Sequence, residues 1–160
     1  MPKVTIQDVT DAGFNAKQFG TAPDWATAVT GYVARVIAEA AVIVEDRVGS
    51  AAYAAATSED QPAQFQRLRR AELCAVKAEL WRRRAAFLDG NAFSALEGNP
   101  SASSERRSYL QHAEDAEGCM LSNIDLFLSG GDVAALGSGA RIGVVETGPF
   151  SVPASGGVLA

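Results

Sequence analysis

The amino-acid sequence predicts an all-α protein: a helical bundle of three main helices plus a short N-terminal helix, with an extended C-terminal arm. Three observations predict it. Of the 160 residues, 48% are apolar, and much of that share is alanine, which forms helices best and buries little area, so helices can approach closely. Apolar residues recur at three- and four-residue intervals over three long stretches. Strand-favouring runs of Val, Ile, Thr and aromatic residues are scarce before residue 140. The length suits one domain with one core.

Residues 1–20 read as an N-terminal arm. Thr5 is placed to cap a short helix opening on Ile6-Gln7-Asp8, with an acid near the positive end of the helix dipole. Gly13 and Gly20 interrupt it. The spacing then predicts a first long helix from Thr21 or Ala22, with Pro23 in its first turn. Apolar positions follow at Trp25, Val29, Tyr32, Val33, Val36, Ile37, Ala40, Ile43, Val44 and Val48, and Gly49 stands where a helix ends. Arg35 and Glu39 are spaced for an i,i+4 pair on its wet face. Residues 50–59 form a loop containing a helical turn.

Ser58 or Asp60 is placed to cap the second helix, with Pro62 near its start. Phe65, Leu68, Leu73, Val76, Leu80, Trp81, Phe87 and Leu88 cover a face so wide that it implies contact on two sides. Asp89-Gly90-Asn91 marks its end, with continuation through Ala92 to Leu96 as the alternative. Gly98, Asn99 and Pro100 then break the chain. Ser103 or Ser104 caps a third helix whose stripe runs through Tyr109, Leu110, Ala113, Ala116, Met120, Leu121, Ile124, Phe127 and Leu128, and Gly130-Gly131 stops it. The bundle is thus residues 21–130. Residues 131–160 are a glycine-rich C-terminal arm, in which Ile142, Val144, Val145, Phe150 and Val152 suit ordering on a partner by strand addition, with a frayed, idle terminus as the alternative.

Chemistry is sparse. The single histidine, His112, has Asp115 three residues on and nothing specific to supply a third metal ligand. Cys74 and Cys119 fall within helical stripes and read first as buried free thiols, with a disulfide or a redox role as the alternative. No nucleophile elbow and no phosphate-cradling loop is written in the sequence. These readings point to a protein that is not an enzyme and needs no cofactor or metal. No basic-then-apolar leader and no apolar run of membrane-spanning length occurs, so synthesis in the cytoplasm is expected, with no membrane partner.

What stands out is charge. The net charge is -5 and the pI about 4.9, a poor starting point for free DNA binding. Yet Arg67, Arg69, Arg70, Lys77, Arg82, Arg83 and Arg84 crowd one helix, seven of the 14 basic residues in the chain. Arg70, Lys77 and Arg84 are seven apart, so they keep to one line of the helix within about 20° of drift per step, and Arg67 lies a turn back from Arg70. Such a stripe suits DNA phosphates or an acidic face on another chain. Glu114, Asp115 and Glu117 offer one, and a solvated face with ordinary pairs such as Glu79–Arg83 is the plain alternative.

The run from Leu68 to Arg84, the Val48-Gly49…Tyr53 close of the preceding helix and the Ile124–Leu128 end of the third helix share a texture and an order. Over residues 22–130 this resembles the head–tail adaptor, or head-completion, proteins of tailed bacteriophages. The resemblance implies a dodecameric ring of copies below the portal protein at the capsid vertex of the virion. The bundles would surround the channel of packaged DNA, the arms would reach the portal, and the lower face would receive the head-closure or tail protein. A DNA-binding packaging protein, such as a small terminase subunit, is the other reading that uses the Arg-rich helix.

Overall fold

The structure, a computed structural model, describes residues 1–19, 24–92 and 100–130. Five helices are seen there: α1 (Ile6–Asp11), α2 (Tyr32–Val48), α3 (Ser50–Ala55), α4 (Pro62–Ala92) and α5 (Pro100–Leu128), with a short 3-10 turn at Ala16–Phe19. Among the described residues there is no strand. The all-α class and the three main helices are as the periodicity indicates. The C-terminal arm, with Ile142, Val144, Val145, Phe150 and Val152, lies outside the described residues.

Thr5 caps α1 with a reciprocal box. Its hydroxyl accepts from the Asp8 backbone N–H at 3.3 Å, and the Asp8 carboxylate accepts from the Thr5 backbone N–H at 2.8 Å. Val4, Val9 and Phe14 then peg the arm into the core, each at most 4% exposed.

α2 begins at Tyr32, about ten residues later than its periodicity suggests. Residues 24–31 instead fold back on themselves. The Gly31 N–H donates to the Thr27 carbonyl and the Tyr32 N–H to the Asp24 carbonyl, at 2.9 and 3.0 Å, while Val29 adopts a positive φ of 70°. Only glycine fits at 31, since a Cβ there would come within 2.3 Å of the Thr27 carbonyl oxygen. The reversal lays Trp25 on Tyr32 and on Phe19, stacked at 5.7 and 5.2 Å between centroids. Two threonines and a valine, weak helix formers, give up a continuing helix for that aromatic stack. At the other end the helix stops on Gly49, whose φ of 86° closes it.

The caps of the other long helices also differ from the sequence reading. Thr57 and Asp60 form a local turn, with the Asp60 N–H donating to the Thr57 hydroxyl at 3.0 Å, and α4 starts beyond it on Pro62. α5 starts on Pro100 rather than after Ser103 or Ser104. In both helices proline sits at the first position, where its missing N–H has no intrahelical partner to lose. α4 runs on through Asp89-Gly90-Asn91 to Ala92.

α4 is the central helix, which explains its broad apolar face. Leu68, Ala71, Val76 and Leu80 are buried against α2 and the arm, and Cys74, Ala78 and Ala85 lie on the α5 side with Tyr109, Ala113, Met120 and Ile124. α5 runs antiparallel to α4: Arg67 reaches the Leu126 carbonyl near one end, and Trp81 stacks on Tyr109 near the other. Midway, Cys74 and Cys119 are joined in a disulfide with their Cα atoms 5.9 Å apart, well inside the usual range. The expectation of two free thiols is therefore corrected. The helix pairing brings together two cysteines 45 residues apart in sequence, which neither stripe alone reveals.

Candidate functional site: the basic helix and the buried carboxylate beside it

α4 holds both the charge concentration and, among the described residues, the one fully buried charged side chain. Glu72 is 0% exposed. Its carboxylate accepts from the backbone N–H groups of Lys3 and Val4 at 2.7 and 3.1 Å and from the Tyr53 hydroxyl at 2.5 Å. That hydroxyl also lies 3.1 Å from the Met1 carbonyl. Lys3 completes the clamp, donating from Nζ to the Ala56 carbonyl at 2.8 Å and lying over the Tyr53 ring. Burial pushes the Glu72 carboxyl above the ordinary carboxylate range, and its three hydrogen bonds and Lys3 pull it back only in part. The Tyr53 hydroxyl is raised far above its usual value by burial and by Glu72.

Reading the sequence, Glu72 looks like a counter-charge to the arginines. It is instead an anchor for the N-terminal arm. The signal for this lay in its neighbours: Leu68, Ala71, Ala75 and Val76 surround it on the buried face of the helix. A cleft of about 410 Å³ opens next to the clamp, lined by Lys3, Glu45, Tyr53, Thr57, Ser58 and Phe65 among others.

The seven cations of α4 divide into two sets. Arg69 meets Asp8 of α1 at 2.5 Å. Arg83 bridges Glu79, four residues back, and Glu39 of α2, at 2.7 and 2.6 Å. Arg82 pairs with Glu117 of α5, and Arg67 donates to the Leu126 carbonyl at 3.1 Å. The remaining three are Arg70, Lys77 and Arg84. Among the described residues none of them has a carboxylate within ion-pairing distance. Arg84 lies over the Tyr109 and Trp81 rings, 4.4 and 5.5 Å from their centroids.

The structure thus keeps three of the four stripe residues and removes Arg67, whose guanidinium is held against α5. Arg70, Lys77 and Arg84 remain on one line of the helix, spanning about 21 Å at 1.5 Å per residue. The i,i+4 pair Glu79–Arg83 is present as expected. Arg35–Glu39 is not: Arg83 takes the Glu39 carboxylate, because α4 delivers a guanidinium to it across the helix interface. Of the acids on α5, Glu117 is used within the chain, Asp115 accepts from Gln111 at 3.1 Å, and Glu114 is exposed.

His112 lies against Trp81, with ring centroids 5.0 Å apart, and stands 3.4 Å from the Ser108 hydroxyl. Among the described residues no group of three His, Cys, Asp or Glu side chains is arranged to hold a metal ion. No described helix is long and apolar enough to cross a membrane. Comparison of the chain with protein-family models, with curated proteins and with solved structures gave no match.

Proposed function

We propose that this chain is a structural assembly protein of the head–tail adaptor kind. In this reading copies form a dodecameric ring below a phage portal protein, in the virion, around the channel of packaged DNA. The upper face meets the portal and the lower face the head-closure or tail protein. The observation that carries the proposal is the division of cations on α4. Four are engaged within the fold, and three (Arg70, Lys77 and Arg84) form an aligned set with no carboxylate partner among the described residues. An aligned, unneutralised set on an acidic chain attracts phosphates or a neighbouring acidic face without reading base sequence. Apolar side chains exposed on α5, including Leu121 and Leu128, supply further area for packing between copies.

The test is the double substitution Arg70→Glu with Lys77→Glu, introduced into assembling particles. Ring formation or DNA retention should be lost, while the helical circular dichroism of the free protein stays near that of the parent. Assembly and retention at parental levels would refute the assignment of this face.

A further inference from the structure

α2 is apolar on more than the side that the fold covers. Val33, Val36, Ile37, Ala40, Val44 and Val48 face the core, yet Val42 and Ile43 are 56% and 46% exposed. The exposed side of this amphipathic helix carries Arg35, Glu39, Asp46 and Arg47, and Val42 and Ile43 are apolar residues set among those charges. The elements packed on α2 leave this outer side open. At 3.6 residues per turn, Arg35, Ala38, Val42 and Asp46 fall within an arc of about 80° on it, and all four are exposed.

The charges on that arc are arranged by sign. Arg35 stands toward the N-terminal end and Asp46 toward the C-terminal end, about 16 Å apart along the axis. Neither has an ion-pair partner among the described residues, since Glu39, the acid spaced to serve Arg35, is taken by Arg83. Along that arc the order is positive, apolar, negative, and Glu39, about 20° beyond Asp46 around the helix, is neutralised by Arg83. Turned end for end, that pattern is its own complement, the property a two-fold interface requires.

We propose that α2 is a self-association surface on which a second copy of this chain packs its own α2 antiparallel. The two-fold axis lies in the interface between the two helices, at the height midway between residues 40 and 41. Arg35 then meets Asp46 of the partner subunit at one end and Asp46 meets Arg35 of the partner subunit at the other. The two Val42 side chains lie about 4–5 Å apart along the helix direction, next to the axis, with Ile43 beside them and Ala38 small enough to allow close approach. The inference stands apart from the adaptor reading. It concerns the free chain, uses no residue of the α4 stripe, and either can fail while the other holds.

The mass of the full chain in solution, by light scattering and sedimentation equilibrium over a range of concentrations, tests it. A reversible dimer is expected. Arg35→Glu alone and Asp46→Arg alone should each weaken it roughly tenfold or more, because every substitution sets like charges together twice. The double variant Arg35→Glu with Asp46→Arg should restore it to within about threefold, since the swapped charges again complement one another. Val42→Glu should leave a monomer of unchanged helical content. A monomer at all concentrations overturns the proposal. So does a dimer indifferent to these changes, or a larger assembly that the double swap does not rescue.

Discussion

Where α4 meets α1, α2 and α5, its arginines end on acids: Arg69 on Asp8, Arg83 on Glu39 and Glu79, Arg82 on Glu117. A quarter-turn away, on the side between the arm and α5, Arg70 and Lys77 end on nothing described and Arg84 rests on aromatic rings. The residue types are the same and the segment is the same. What differs is the angular position on the helix, which decides whether a neighbouring element delivers a carboxylate. A count of positive charges along α4 therefore overstates its free basic character more than twofold, and the helical phase shows which residues carry it.

The two sides should respond differently to substitution, and the largest effect belongs on the engaged side. Glu72→Ala leaves the Val4 and Lys3 backbone N–H groups, one buried and one part-buried, without their acceptor and takes from the Tyr53 hydroxyl its shorter partner, so a loss of about 3–5 kcal/mol is expected. Chemical denaturation monitored by circular dichroism measures it, and a loss below 1 kcal/mol would show that the arm is not held through this carboxylate. Reducing Cys74–Cys119 comes next. Releasing a cross-link across a loop of this size should cost about 2–4 kcal/mol, seen as a lower melting temperature with reductant. Two thiols titrating in the unreduced protein would disprove the pairing.

A third test uses pH. Burial raises the folded Glu72 carboxyl above its unfolded value, so the folded state binds that proton more tightly. Its contribution to stability is full below the ordinary carboxylate value and falls as pH rises toward the raised one. Asp8 runs the other way. Burial pushes it up, but the hydrogen bonds from Thr5 and the ion pair with Arg69 outweigh burial and hold it below its usual value. Its contribution is present at neutral pH and lost in acid. Melting temperatures of the parent and Glu72→Gln, compared between about pH 4 and pH 8, should diverge in favour of the variant as pH rises. A difference that does not change with pH would contradict this. The smallest effect falls on the open side: Arg70→Glu with Lys77→Glu should alter unfolding free energy by no more than about 0.5 kcal/mol, however strongly it affects assembly.

The helices were legible because a single period of apolar residues writes each of them, and the capping box at Thr5–Asp8 is local enough to read directly. Among the features that were not legible, one depends on a local chain reversal and two on contacts between distant segments. α2 starts late because Trp25 turns back onto Tyr32 and Phe19. The cysteines pair because α4 and α5 align in one register among many. Arg35 loses Glu39 because Arg83 reaches it across the interface from 44 residues away. On α4 the alignment of cations was legible and their engagement was not. Spacing alone places Arg70, Lys77 and Arg84 together, but only the packing of α5 shows that Arg67 is engaged.

The chain has two tryptophans, and the aromatic contacts give each a different neighbourhood. Trp25 is sandwiched at the turn preceding α2, while Trp81 lies on the α4–α5 seam between Phe14, Tyr109 and His112. Intrinsic fluorescence therefore has two separable origins. Replacing either indole by phenylalanine leaves a chain whose emission reports on one junction alone, so opening of the seam and loosening of the turn can be followed independently without an attached dye.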